Sequence, residues 1–204
     1  MVLYFTGTGN SAYVAKAIAD RLNDDVVSSN ELIKSGIKGS FKSDNPWVFV
    51  FPVYLSTIAK VFADFIRESA FEGNKKAYFV ATCASVMGAT PNHCAEICKK
   101  KNLSYMGTEL VQMPQNYIAL FKMTEPDECE RRINASLETV DDICNKIKSE
   151  EMLGGKKVSA FESVSTKWVE KIYNGPFTKT KKFYATDECI SCGLCERRCV
   201  LNNI

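Results

Sequence analysis

Apolar residues in the first 152 positions fall into two alternating patterns. Short continuous apolar runs are typical of strands that are buried on both faces of a sheet. Apolar residues three or four positions apart are typical of helices that cover such a sheet. Strands are predicted at residues 2–5, 26–27, 47–51, 77–81 and 103–113.

Amphipathic helices are predicted between these strands. Apolar positions at helical spacing begin near Tyr13, Ile58 and His93, and a last long helix runs from about Glu125 to Lys148. This alternation predicts an α/β fold with a doubly wound, five-stranded parallel sheet. Because ligands bind at the carboxyl ends of the strands in such sheets, the loops after the strands are the candidate site.

The alternation stops at Leu153-Gly154-Gly155. One connecting helix is predicted over about 161–172, and four of the nine cysteines lie in the last 16 residues. We therefore expect three parts: a domain over 1–152, a connecting helix and linker over 153–182, and a small cysteine-rich segment over 183–204.

The loop after the first strand reads Thr6-Gly7-Thr8-Gly9-Asn10-Ser11 and leads into a helix. A helix N-terminus offers unpaired N–H groups to a phosphate, and three hydroxyls stand ready to donate as well. Gly7-x-Gly9-x-x-Ala12 also satisfies the dinucleotide fingerprint, which expects an acid about 20 residues further on. Glu31, after Ser28-Ser29-Asn30, is a poor match, so a terminal monophosphate is favoured. A tight turn with a helix cap is the alternative that needs no ligand.

This loop resembles the T-x-T-G-N-[TS] phosphate loop of flavodoxins, and the resemblance covers roughly residues 1–152. It implies a flavodoxin-like fold that binds FMN. The phosphate would be held by Thr6, Gly7, Thr8, Gly9, Asn10 and Ser11. The isoalloxazine ring would be flanked by Pro52, Val53, Tyr54, Leu55 and Ser56 and by Thr82, Cys83, Ala84 and Ser85. Tyr54 would stack on the ring or serve only as a packed aromatic, and residues 113–117 would adjoin the site.

The four C-terminal cysteines, Cys189, Cys192, Cys195 and Cys199, have the spacing C-x2-C-x2-C-x3-C. This spacing is typical of bacterial iron–sulfur proteins and predicts a 4Fe–4S cluster. Gly193 lets the backbone pass close to the inorganic core. Structural zinc is the alternative, although zinc sites usually separate two C-x-x-C pairs by a long loop.

The C-terminal segment resembles a bacterial two-cluster ferredoxin, and the whole chain resembles fused flavodoxin–ferredoxin electron carriers. Two departures stand out: Val200 replaces the usual proline, and no second cysteine run precedes Ile204. In two-cluster ferredoxins the fourth cysteine of one run ligates the other cluster. Cys199 therefore either closes a single cluster locally or serves a second run in a longer chain, which is the expectation we favour.

The charge and composition of the sequence limit the classes of partner and the location that we expect. Residues 153–204 carry 9 Lys and Arg against 5 Asp and Glu, an excess that suits a net-negative thiolate cluster. The sequence has no broad basic face with interleaved aromatic residues, so nucleic-acid binding is not expected. No apolar stretch reaches the roughly 18 residues of a membrane span, and no signal peptide is predicted. A cluster needs reduced thiols, and the cytoplasm is reducing, so a cytoplasmic location is expected.

Together these features predict an electron-transfer protein that passes electrons between FMN and a 4Fe–4S cluster, with redox proteins as partners. One alternative is an FMN-dependent reductase of a quinone or other small acceptor, fed by the cluster. Another is a non-redox binding module with zinc in its C-terminal segment. With a single histidine in the chain, no hydrolase constellation is predicted. Cys94 and Cys98 are interpreted as small core residues, and Cys83 as a small loop residue or a redox thiol.

Overall fold

The structure is a computed structural model that describes residues 1–117, 121–154 and 184–201. Its strands are β1 (Val2–Tyr4), β2 (Val26–Ser28), β3 (Ser40–Ser43), β4 (Trp47–Tyr54), β5 (Thr57–Ile58), β6 (Ala70–Gly73), β7 (Lys76–Cys83) and β8 (Ser104–Gln112). Its helices are α1 (Asn10–Leu22), α2 (Asn30–Lys34), α3 (Lys60–Glu68), α4 (Thr90–Lys101), α5 (Pro126–Lys148) and α6 (Leu194–Arg198).

Five strands form one parallel sheet in the order β2-β1-β4-β7-β8. This order confirms the predicted doubly wound α/β fold. The structure adds a short β3–β6 parallel pair, the helix α2, and a strand β5 that turns back antiparallel onto β4. These elements span only two to five residues, which is too short for a hydrophobic period to show in the sequence.

The central strand β4 divides the core into two layers. Trp47, Phe49 and Phe51 point to the side covered by α3 and α4, where aromatic side chains dominate the packing. Val48 and Val50 point to the opposite side, where they pack with residues of α1 and α5. Both sets are fully buried, so the continuous apolar run is explained by a strand that is covered on both faces.

The polypeptide returns to the edge of the sheet after α5. Leu153 forms an isolated bridge with Gly107 of β8. Gly107 has a φ of 100°, and a Cβ there would overlap the carbonyl of Leu153. A glycine is therefore needed at this close approach of two backbones.

The predicted helix over 161–172 lies outside the described residues. Beyond them, α6 carries Cys195, and Leu201 packs at the edge of the core cluster on the α3 and α4 side. Of the helices that the structure describes, none is long and apolar enough to cross a membrane.

Candidate functional site

A cavity of about 730 Å³ lies at the carboxyl ends of β1, β4, β7 and β8. This volume is in the usual range for cofactor sites. It is lined by Thr6, Gly7, Thr8, Asn10, Ser11, residues 52–56, residues 82–86, residues 114–117 and Phe121. The structure thus brings together every predicted cofactor-binding residue except Gly9. Among the described residues that line the cavity, none has a charged side chain.

One end of the cavity is formed by the start of α1. The first helical hydrogen bond runs from the Tyr13 N–H to the Gly9 carbonyl, 2.9 Å away. The N–H groups of Asn10, Ser11 and Ala12 therefore have no acceptor within the helix. Gly9 has a φ of 110°, a conformation that residues with a side chain rarely adopt. This end of the cavity can bind an anion through backbone donors and the positive end of the helix dipole.

The hydroxyls of the loop have different surroundings. The Ser11 side chain is only 1% exposed, and its oxygen lies 2.8 Å from the Thr82 hydroxyl in the buried interior. Thr8 is exposed in the cavity, where its oxygen accepts a hydrogen bond from the Asn116 side-chain amide. Because that bond uses only a lone pair, the Thr8 hydroxyl proton remains available to a ligand.

Pro114 and Asn116 are tied to the same end of the cavity. The Asn10 side-chain amide donates to the Pro114 carbonyl at 3.1 Å, and Asn116 donates to Thr8. Two amide side chains thus join the phosphate loop to the segment after β8. The predicted proximity of residues 113–117 to the site agrees with this arrangement.

The other end of the cavity has aromatic walls. Tyr54, at the end of β4, is 46% exposed, and its hydroxyl lies 2.5 Å from the position that a Cβ on Gly7 would take. Partial burial raises the pKa of the Tyr54 phenol above its ordinary value. Tyr117 and Phe121 pack on each other with ring centroids 6.1 Å apart. These rings offer flat apolar surfaces to a planar ligand.

A tight turn carries Tyr54 to this position. Leu55 and Ser56 have φ values of 55° and 62°, and they connect β4 to β5 as a two-residue hairpin loop. Positive φ at both central residues is the requirement of a type I′ turn, which usually contains Asn and Gly. Backbone strain of this kind is typical of ligand-binding loops. Without an Asn-Gly pair, the sequence contains no signal for this hairpin.

The loop after β7 is held from behind. The Met113 N–H donates to the Cys83 carbonyl at 2.9 Å, and the Arg132 guanidinium donates to the Ala84 carbonyl at 3.0 Å. Arg132 is also paired with Glu128 at 2.8 Å. The Cys83 thiol donates to the Val86 carbonyl at 3.2 Å, and burial raises its pKa.

A family profile described as a flavodoxin domain matches residues 1–135, well over half of the chain. The chain belongs to the flavodoxin family. Its fold and the loop after β1 agree with that membership. Among curated protein sequences, none matches this flavodoxin-like chain significantly.

Several solved structures match this chain at low identity and low TM-score. A Bacteroides uniformis protein, provisionally described as a flavoprotein, is 16% identical to this chain with a TM-score of 0.44. The match covers 55% of this chain and 88% of that protein. An azoreductase from Bacillus anthracis is 15% identical with a TM-score of 0.41, covering 71% and 98%. A flavodoxin from the domain Archaea is 14% identical with a TM-score of 0.36, covering 72% and 97%. These similarities carry no information on ligand or activity.

The C-terminal cysteines lie apart from the flavodoxin cavity lining. Cys189, Cys192 and Cys195 are exposed and Cys199 is half-buried, and all four are free of disulfides. Over residues 1–117, 121–154 and 184–201, no three His, Cys, Asp or Glu side chains converge closely enough to hold a metal ion. Four cysteines within one short segment fit a cluster by their chemistry, although the structure does not bring them together.

The remaining cysteines of the flavodoxin domain include two core residues on α4. Cys94 and Cys98 are buried among the apolar side chains of the α3 and α4 layer. Burial raises the pKa of Cys98 to about 12, so its thiol stays protonated. Both residues behave as small apolar side chains in the structure.

Sequence reasoning missed two residues that hold the site from outside the cavity and one that lines it. Asn30 binds the backbone of Thr6, Arg132 binds the Ala84 carbonyl, and Phe121 lines the aromatic end. Asn30 and Arg132 act on backbone groups far away in the chain. No periodicity or motif could have revealed those pairings, whereas Phe121 lies only four residues beyond a segment that was already suspected.

Proposed function

We propose that the protein is an electron carrier that binds FMN in the cavity and a 4Fe–4S cluster through its C-terminal cysteines. The observation that supports this most is the cavity itself, which joins a helix N-terminus to aromatic walls within a flavodoxin domain. FMN, when bound, supplies the exchange of one or two electrons, and a cluster supplies one-electron transfer. The protein then needs no acid or base of its own.

The phosphate would be held at the α1 end of the cavity. Among the described residues that line the cavity, none has a charged side chain, so the phosphate charge would be met by neutral donors and by the helix dipole. The unpaired N–H groups of Asn10 and Ser11 and the hydroxyls of Thr6 and Thr8 are those donors. Charge-assisted bonds of this kind contribute about 1.5–3 kcal/mol each.

The flavin ring would occupy the aromatic end. Tyr54 offers a face for stacking, and the backbone of residues 52–56 and 82–85 can bind the polar edge of the ring. The Leu55-Ser56 turn and the Arg132 bond to Ala84 orient these two loops. Their role is to orient the ring and to limit its contact with water.

The cluster would be held by thiolates of Cys189, Cys192, Cys195 and Cys199, with Cys199 closing it locally or serving a second cluster. We propose residues 1–152 as the FMN domain, 153–182 as a connection and 183–204 as the ferredoxin-like segment. The backbone between the cysteines already turns sharply, since Ser191 and Gly193 have φ values of 53° and 67°. Such turns let thiolates that are separated by two intervening residues face a common centre.

A second candidate is an FMN-dependent reductase of quinones or similar small acceptors. It is favoured by the apolar side chains beside the cavity, among which Val86 is 69% exposed and Phe121 is 56% exposed. A planar apolar acceptor could bind there against the ring. Rapid, saturable turnover of a soluble quinone would favour this reductase over a carrier that reacts only with proteins.

The visible absorption of anaerobically purified protein, before and after dithionite, tests the proposal. Structured flavin bands above a broad iron–sulfur absorption, both bleached by dithionite, are expected. Cys192→Ser should abolish the broad absorption and the bound iron while leaving the flavin bands. A colourless protein that cannot be reconstituted with FMN and iron, and that contains zinc instead, would contradict it.

A further inference from the structure

The junction between β2 and α2 packs against the residues that lead into the phosphate loop. The Ser29 N–H and the Ser29 hydroxyl both donate to the Tyr4 carbonyl, each at 2.8 Å. Ser29 is fully buried. The last residue of β1 is therefore fixed by two hydrogen bonds from the neighbouring strand end.

Asn30 continues this contact onto the loop itself. Its side-chain oxygen accepts the Thr6 N–H at 3.1 Å, and its side-chain nitrogen donates to the Thr6 carbonyl at 2.7 Å. Asn30 is only 6% exposed. One planar amide thus pairs with both backbone groups of a single residue, which fixes the orientation of the two peptide planes around Thr6.

The restraint passes from Thr6 to the start of α1. The Thr6 hydroxyl accepts the Gly9 N–H at 3.0 Å, and Gly9 is the residue that caps the helix. A chain of hydrogen bonds therefore connects Asn30 through Thr6 to Gly9. The N–H groups of Asn10, Ser11 and Ala12 follow directly and depend on this geometry for their direction.

We propose that Asn30 is a positioning residue for the flavin phosphate. It is not among the cavity-lining residues, and it acts by holding the loop so that its donors face the anion. Because no described residue that lines the cavity has a charged side chain, phosphate affinity depends on how well these neutral donors are aimed. This inference rests on the proposed binding of FMN.

That residue 30 is an asparagine and not an acid matters as much for phosphate binding as its position does. Folds that bind dinucleotides use an acid at the end of the second strand to bind a ribose. Here the end of β2 is followed by a neutral amide that is turned inward to the loop and satisfied there. An amide offers both a donor and an acceptor without adding negative charge beside a phosphate.

The test compares FMN with riboflavin, which has the same ring but no phosphate. The dissociation constants of both ligands are measured by fluorescence titration of the purified full chain and of Asn30→Ala. FMN should bind about tenfold or more weakly to the variant, whereas riboflavin affinity should change less than about threefold. Asn30→Ser, which keeps one hydrogen-bonding group, should give a smaller loss in the same direction and serves if the alanine variant does not fold.

Asn74→Ala is the matched control. The Asn74 side chain also bonds two backbone groups, the Asp44 carbonyl at 2.9 Å and the Lys76 N–H at 2.8 Å, but at the amino end of β7. Its loss should leave the ratio of the two affinities unchanged. Equal weakening of FMN and riboflavin in the Asn30 variants, or no weakening, would overturn the positioning role. A wild-type protein that does not prefer FMN would overturn the proposed function first, and this inference with it.

Discussion

The two ends of the cavity are built in different ways. At the phosphate end, polar side chains are buried and paired, as in the contacts of Ser11 with Thr82 and of Asn30 with Thr6. At the aromatic end, Tyr54 and Phe121 remain half exposed, and the Leu55-Ser56 turn is strained. The hydrogen bonds of the phosphate end are already formed without a ligand, whereas the aromatic end consists of half-exposed side chains on loops.

This difference separates two tasks. A preorganised anion site contributes affinity and fixes the register of the ligand, because little ordering remains to be done on binding. An open apolar end would leave a bound flavin ring accessible to a redox partner. The comparison predicts that changes at the phosphate end discriminate between FMN and riboflavin, and that changes at the aromatic end affect both ligands alike.

The largest effect should come from Gly9→Val. Gly9 has a φ of 110°, and a β-branched residue in that conformation costs about 1–3 kcal/mol and displaces the start of α1. FMN affinity should fall by about a hundredfold, while riboflavin affinity falls far less, as measured by fluorescence titration. An equal fall for both ligands would mean that the two ends are not independent.

Thr8→Ala should have the next largest effect. It removes a donor that faces the cavity, so FMN affinity should fall by about tenfold, the value of one charge-assisted hydrogen bond. Thr139→Ala on α5, outside the lining of this cavity, is the control and should change neither affinity. Unchanged FMN binding in the Thr8 variant would remove its hydroxyl from the phosphate site.

Tyr54→Leu should weaken FMN and riboflavin equally, by a few-fold, because aromatic stacking contributes about 0.5–1.5 kcal/mol. The quenching of flavin fluorescence on binding should also decrease. Tyr54→Phe keeps the ring and should leave both affinities unchanged. A selective loss of FMN in the Phe variant would show that the Tyr54 hydroxyl, which lies beside Gly7, belongs to the phosphate end.

The smallest effect concerns Cys83 at the aromatic end. Burial raises the pKa of its thiol, so less thiolate is present at pH 8 than in a free thiol, and the fraction grows only at higher pH. Alkylation by iodoacetamide, followed by mass spectrometry of the Cys83 peptide, should be slower than that of glutathione at pH 8. Faster alkylation would indicate an activated redox thiol in the loop.

The sequence predicted what depends on long patterns and on local motifs. Apolar runs such as residues 47–51 predicted the sheet, and Thr6–Ser11 predicted an anion site at the start of a helix. The resemblance to flavodoxins then implied that residues 52–56 and 82–85 lie beside that site. The sheet is confirmed because burial follows from the local apolar pattern, whereas the anion site stays a prediction that rests on helix-terminus geometry.

What the sequence did not predict depends on contacts between distant residues. The Ser11 hydroxyl was expected to face the ligand, but it lies in the interior against Thr82. Asn30 was named only as the residue before Glu31, the poor match to the acidic position, whereas its side chain bonds the Thr6 backbone. The Leu55-Ser56 hairpin loop has neither the Asn nor the Gly that usually occurs in such a turn. Each depends on tertiary contacts that no local pattern encodes.

The central claim is that this cavity selects a flavin by its phosphate. The most direct test is a pair of fluorescence titrations of the unmodified protein, one with FMN and one with riboflavin. Two or three charge-assisted hydrogen bonds predict that one FMN binds per chain at least about a hundredfold more tightly than riboflavin. Equal affinities for the two ligands, or no binding of either, would contradict the account.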